Sequence, residues 1–190
     1  MELLENVIRE EAKVKSDVIL DGTEFLNAKV DVKLMDALGK DFSDYYKDYD
    51  YDLFVTVEAS GIAPSVFASL YADKPLIIIK KQDNDLNNPE IIQQASYSFT
   101  KDKDYFLTVG KRFIEGKKVI LIDDFLAKGS VVKNVKTMLE SVDAELVSTA
   151  ICISKNFQEG YQHLLKEGFD LYVQAQIESL DAETNTIEFA

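Results

Sequence analysis

The spacing of hydrophobic positions changes several times along the chain, and each change marks an element. Leu3, Leu4, Val7 and Ile8 recur at helical spacing, which predicts an amphipathic helix over residues 2–12. A short extended piece follows at 18–20. Asp31 then stands where a helix N-cap belongs, ahead of Leu34, Leu38, Phe42 and Tyr45 on one helical face. From residue 53 the apolar runs become short, continuous and rich in β-branched residues. Leu53-Phe54-Val55-Thr56-Val57, Leu76-Ile77-Ile78-Ile79 and Val119-Ile120-Leu121-Ile122 read as strands buried on both faces. Helices are predicted at 63–71, where Pro64 suits a first turn, at 130–141 and at about 160–167. Further strands are predicted at 145–153, 170–174 and 186–189, and 93–99 with 105–109 reads as a hairpin. Residues 81–90 are polar, lack any period and read as a surface loop. Strands alternating with helices predict right-handed βαβ units: an open α/β sheet, parallel at its core and covered on both faces.

Composition narrows this picture. At 190 residues, 46% hydrophobic, the chain suits one domain with a full core, extended by a small N-terminal elaboration. No internal repeat or low-complexity linker interrupts it. No uninterrupted apolar run exceeds five residues, against the roughly 18 of a membrane span. One cysteine, Cys152, excludes an internal disulfide and fits a reducing, cytoplasmic setting; the apolar run around it suggests a core residue. Met1-Glu2-Leu3-Leu4-Glu5 lacks the basic start of a secretory leader. With 34 acidic residues against 21 Lys+Arg, the net charge is −13, so neither nucleic acid nor an anionic membrane is an expected partner. A small polyanion as ligand would need local positive potential.

In an open α/β sheet, ligands sit beyond the carboxyl ends of the strands, so residues following the central strands carry the functional information. After strand 119–122 come Asp123-Asp124-Phe125-Leu126-Ala127-Lys128-Gly129-Ser130, then a helix. Turn and helix N-terminal amides can grip a phosphate, and two carboxylates can accept from a diol or hold a divalent cation. The same acids also read as ordinary helix N-terminal acids that favour the dipole. After strand 53–57, Ser60 and Gly61 form a small-residue turn that allows an anion close to the backbone; an ordinary strand-to-helix turn has the same composition. Lys80 and Lys81 end strand 76–79, placed either to neutralise an anion or merely to solvate a strand end.

These segments resemble a known family. Val119-Ile-Leu-Ile-Asp-Asp-Phe-Leu-Ala-Lys-Gly129 is similar to the phosphoribosyl-pyrophosphate (PRPP) motif of type I phosphoribosyltransferases. Phe25-Leu-Asn27, Glu58-Ala-Ser-Gly-Ile-Ala-Pro64, Ala95-Ser-Tyr-Ser-Phe-Thr-Lys101 and Asp123-Asp-Phe-Leu-Ala127 resemble, in order and spacing, the bacterial xanthine phosphoribosyltransferase branch. The resemblance runs to about residue 180. It implies the type I fold: a parallel-sheet core over about 31–175 flanked by helices, a small hood from about 1–30 and the C-terminal segment, and a mobile loop at 82–92. It implies purine salvage by a homodimer, with phosphoribosyl passing from PRPP to N9 of xanthine to give XMP and pyrophosphate, and with Mg²⁺ entering mainly on PRPP. Carried over by position, Ala127, Lys128, Gly129, Ser130 and Val131 cradle the 5′-phosphate, and Ser60 and Gly61 receive pyrophosphate in a loop that often holds a non-proline cis peptide. Asp123 and Asp124 face the ribose hydroxyls, Lys81 meets the leaving group, and Leu20, Asn27, Phe125 and Lys155 contact the base. Tyr97, Ser98 and Lys101 would join once the loop closes.

The match has departures. The family turn usually reads Ala-Asn-Gly-Gln-Ala, whereas here it is Ala127-Lys128-Gly129-Ser130-Val131. Backbone amides survive such changes; Lys128 adds a cation and Val131 offers no hydroxyl. Ala127 stands where hypoxanthine-guanine enzymes carry an aspartate, so proton handling falls to backbone, water or the base. His163, alone on a polar helix, suggests no catalysis. Guanine, hypoxanthine or adenine as the base, and a PRPP-sensing regulator without turnover, stay open as alternatives.

Overall fold

The computed structural model describes residues 1–83, 87–98 and 103–190. Helix α1 (Glu2–Glu11) leads into a two-stranded hairpin, β1 (Lys13–Ser16) with β2 (Ile19–Asp21), and a single π-turn at Thr23–Asn27. Helix α2 (Val32–Tyr46) starts where its cap predicts: an Asp31 oxygen accepts from the Lys33 and Leu34 amides at 2.9 and 3.1 Å. Such a cap is worth about 1 kcal/mol.

The remaining elements build one sheet. They are β3 (Leu53–Val57), α3 (Ile62–Ala72), β4 (Leu76–Gln82), β5 (Ile91–Ser98), β6 (Lys103–Gly110), the single turn α4 (Lys111–Ile114), β7 (Lys118–Leu126), α5 (Ser130–Glu140), β8 (Glu145–Lys155), α6 (Glu159–Lys166), β9 (Leu171–Asp181) and β10 (Thr186–Phe189). Strand order is β10-β9-β8-β7-β3-β4-β6-β5. The five strands from β9 to β4 are parallel, as predicted, but the pairings at the edges are antiparallel: β10 with β9, β6 with β4, and β5 with β6. For β9–β10 and β5–β6 the hairpin connection imposes this, since a hairpin can only reverse direction. Strand β6 meets β4 antiparallel because β5 runs with β4 and lies outside β6.

Two apolar layers sandwich the sheet. Ile120 and Ile122 point into one, with Leu38, Phe42 and Phe54; Val119 and Leu121 point into the other, with Val135, Leu139 and Leu164. All four β7 side chains are fully buried, each contributing about 1.5–3 kcal/mol. Gly39 lets α2 and α3 touch, since a methyl there would lie 2.3 Å from Phe67 Cβ.

Several boundaries move outward. The strand expected at 119–122 continues to Leu126, so Asp123 and Asp124 are strand residues rather than turn residues. The strand at 170–174 runs to Asp181, and Lys155 is the last residue of β8. Lys81 and Gln82 belong to β4 and Ile91 and Ile92 to β5, which shortens the loop expected at 81–90 and 82–92 from both ends. Residues 84–86 of it lie outside the described residues, as does Lys101; the side chains of Tyr97 and Ser98 do too. Among the described residues, no helix is long and apolar enough to cross a membrane.

Candidate active site

The carboxyl ends of β3, β4, β7 and β8 converge on two adjoining pockets. The larger, about 670 Å³, is lined by the whole turn from Ala127 to Val131, with Lys81, Asp123, Phe125 and Lys155, and by Val18 and Ile19 of the β1–β2 hairpin. The smaller, about 160 Å³, is lined by Glu58, Ala59, Ser60, Lys81, Asp123, Asp124, Phe125 and Val131. Asp123, Phe125, Lys81 and Val131 are common to both, so the two form one continuous site.

The turn owes its shape to glycines. Gly129 has φ 77°, the left-handed region, immediately before α5. Gly160, at the start of α6, packs against the turn: its amide donates to the Ala127 carbonyl at 3.1 Å, and a methyl at Gly160 would fall 2.2 Å from that same oxygen. The first amides of α5 have no partner within their own helix and open beside the turn, a geometry suited to a phosphate.

The second loop is set equally tightly. The Glu58–Ala59 peptide is cis, as the resemblance implies. Gly61 is buried beneath the loop, where a methyl would meet Thr56 Oγ1 at 2.4 Å and the Ile122 carbonyl at 3.3 Å. Its carbonyl accepts from the Ser65 hydroxyl at 2.6 Å. Ser60 faces the smaller pocket and Gly61 supports it from below.

Electrostatics divide the site. Burial, then the neighbouring Asp124 carboxylate, pushes the Asp123 carboxyl well above the usual range; the Asp124 amide and Lys81 oppose this. A carboxylate so placed favours partners that bring hydroxyl donors or positive charge. Across the cavity, Lys155 Nζ donates to the Val18 carbonyl at 3.0 Å and lies 5.4 Å from the Phe125 ring centre. Burial lowers the Lys155 ammonium from its ordinary value, partly offset by Asp124. The lysine pair separates: Lys81 lines both pockets, whereas Lys80 is ion-paired to Glu58 at 3.1 Å and lines a different groove with Leu76, Ile77 and Ile78. Burial and both acids push the Cys152 thiol up, consistent with an inert core residue.

A model of the phosphoribosyl transferase domain matches residues 25–182. The chain belongs to this family. Among curated relatives, the xanthine phosphoribosyltransferase of Clostridium acetobutylicum is 38% identical over 190 residues, covering all of both chains. That of Clostridium botulinum strain Eklund 17B is 37% identical, covering 95% of this chain and 96% of its own. Among solved structures, adenine phosphoribosyltransferase of Trypanosoma brucei superposes with a TM-score of 0.73 at 17% identity, covering 91% of this chain and 79% of the other. That of Thermoanaerobacter pseudethanolicus gives 0.71 at 20%, covering 91% and 99%. The fold is therefore the type I phosphoribosyltransferase fold.

Within that family frame, most residues singled out from sequence come together: Asp123, Asp124, Lys81, Ser60, Phe125, Lys155 and the turn from Ala127 to Val131. Three do not line the cavity. Gly61 lies beneath the loop that does, supporting Ser60. Leu20 is buried in the core, and Asn27 is exposed on the π-turn; the hairpin presents Val18 and Ile19 to the cavity instead. Strand alternation explains the exchange, because β2 turns Leu20 inward and its neighbour Ile19 outward. Sequence reasoning also missed Tyr105 and Gln158, which line the larger pocket, and the clamp at Gly160. Only Gly160 left a trace, as a glycine at a predicted helix start.

Proposed function

We propose that the protein transfers the 5-phosphoribosyl group of PRPP to N9 of xanthine, giving XMP and pyrophosphate in purine salvage. The observation that carries the reading is one continuous site, made of both pockets, that joins an amide-lined turn, two carboxylates and a lysine beside an aromatic ring. The curated relatives support xanthine as the base.

The reaction is a substitution at C1 of ribose. The C1–O bond to pyrophosphate breaks and its electrons leave with the pyrophosphate; the N9–C1 bond forms; the N9 proton passes to solvent, because Ala127 supplies no acid or base there. The amides of 127–131 hold the 5′-phosphate, and Asp123 and Asp124 accept from the ribose hydroxyls. Lys81 meets the departing charge. Phe125 offers a face to the purine, and the Lys155 ammonium, exchanging the Val18 carbonyl for a base oxygen, favours the oxo-rich, acidic xanthine. Leu20 and Asn27 belong to the hood that supports this pocket. Rate enhancement comes from holding the two substrates in line and stabilising the charge that develops.

Magnesium fits this donor set as a shared ion. Asp123 and Asp124 are adjacent carboxylates with no third protein ligand among the described residues, so phosphate oxygens would complete its shell. Bound there, it would offset charge on pyrophosphate.

A homodimer in a reducing cytoplasm completes the proposal. Helix α3 is apolar on its outer face, with Val66, Leu70 and Tyr71 exposed at 48%, 70% and 44%, a surface suited to a second copy. The functional test is product analysis. Protein, PRPP, Mg²⁺ and xanthine should yield XMP and an equal amount of pyrophosphate. No nucleotide from xanthine, guanine, hypoxanthine or adenine overturns the reading.

A further inference from the structure

We infer that Glu58 is a positioning residue that selects Lys81, rather than Lys80, as the cation for the leaving pyrophosphate. The inference rests on the transferase reading above and adds a residue to it.

The argument starts from the parallel pairing of β3 with β4. Phe54 N donates to the Pro75 carbonyl and Glu58 N to the Ile79 carbonyl, so each β3 residue bonds one position behind its β4 neighbour. In a parallel ladder the next donor, Lys81 N, would be accepted by the main-chain carbonyl of Glu58. The chain leaves the sheet at this point, since β3 ends at Val57. The Glu58 side chain takes the vacated role: its Oε1 accepts from Lys81 N at 2.7 Å. The ladder is thereby extended by one bond beyond the strand. Lys81 is held in strand register at the mouth of the site, and its side chain lines both pockets.

The other carboxylate oxygen acts on the second lysine. Oε2 pairs with Lys80 Nζ at 3.1 Å, and Lys80 lines the separate groove on β4 and β6. One half-buried carboxylate thus fixes one lysine through its backbone and neutralises the other through its charge. Burial alone would raise the Glu58 carboxyl, but the Lys81 amide, the Lys80 ammonium and, least of these, the Lys81 charge outweigh it and hold it below the usual range, so it stays ionised at neutral pH. Lys81, unlike Lys80, also reaches the acids of the site: its charge opposes the upward shift of Asp123.

The test measures pyrophosphate binding directly by titration calorimetry, alongside steady-state kinetics, with thermal melts to verify folding. Glu58→Ala is expected to weaken pyrophosphate binding and raise the PRPP KM about tenfold, with a smaller change in the KM for the base. Glu58→Gln keeps an oxygen for Lys81 N and should recover most of that loss. In the Glu58→Ala, Lys81→Ala double variant the losses should fall short of multiplying, because both changes remove one function. A merely structural role predicts independent, multiplying losses and no rescue by glutamine. Wild-type affinity in Glu58→Ala, or multiplying losses, overturns the inference while leaving the transferase intact. A wild-type protein that neither binds pyrophosphate nor forms nucleotide overturns both.

Discussion

The two ends of the cavity are built on different principles. The end proposed for phosphate is main chain: the turn 127–131, the Glu58–Ser60 loop, and the glycines at 61, 129 and 160 that bring backbones within contact distance. The end proposed for the base is side chains: Val18 and Ile19, each about half exposed, Phe125, and Lys155 tied to the hairpin by a hydrogen bond to Val18. Backbone amides are indifferent to the side chains above them. That is why Lys128, Ser130 and Val131 can replace other residues in this turn without dismantling it. A pocket made of side chains has no such tolerance, so on the proposed reading selectivity for the base resides there.

The comparison can be broken most sharply at the carboxylates between the two ends. Asp123→Asn should lower kcat/KM by about 10²–10³, the usual loss when a group that stabilises developing charge is removed. The same substitution should raise the Tm at neutral pH. Asp123 has a raised folded-state pKa, so above its unfolded value near 3.8 the native state binds more protons than the unfolded one, and stability falls as pH rises. Melts across acidic to neutral pH should show that fall in the wild type and its loss in Asp123→Asn. An unchanged pH slope would place the carboxyl in a more solvated setting.

At the base end, Lys155→Ala should raise the xanthine KM about 10- to 100-fold with a much smaller effect on the PRPP KM, since a hydrogen bond to a charged group is worth about 1.5–3 kcal/mol. An unaltered xanthine KM would remove Lys155 from the base pocket. At the phosphate end, Gly160→Ala should cost about 1–3 kcal/mol of stability, read by denaturant unfolding, and should raise the PRPP KM as the added methyl pushes the turn aside. Lys128→Ala should do least: a change in PRPP KM of about fivefold or less, shrinking with added salt, as befits an exposed cation. A larger loss at Lys128 than at Gly160 would mean that side chains, not backbone, hold the phosphate.

Much of this was legible in the sequence where local chemistry decides. Asp31 announced α2, and the β-branched runs announced the central strands, because full burial on both faces leaves an unbroken apolar signature. Strand ends were not legible. Asp123 and Asp124 look like a strand's end, although β7 carries them into the site, and Gln174, Gln176 and Glu178 disguise the second half of β9. Gln174 is nonetheless buried, its amide donating to the Leu38 carbonyl and to Asp41 at 2.9 Å each. Its Nε2 is met by distant partners while its buried Oε1 has none among the described residues, and neither fact leaves a local mark in the sequence. The separation of Lys80 from Lys81 was equally hidden, because it depends on a carboxylate 22 or 23 positions away. On the proposed reading, amides and Lys81 supply locally the positive potential that a net charge of −13 does not.

The most direct test is competition. An equimolar mixture of xanthine, guanine, hypoxanthine and adenine is given to the protein with Mg²⁺ and limiting PRPP, and the nucleotides are quantified. Product ratios then equal ratios of kcat/KM. The account predicts that XMP exceeds every other nucleotide with the wild type and that Lys155→Ala loses this preference. The same product ratio in both proteins would contradict it.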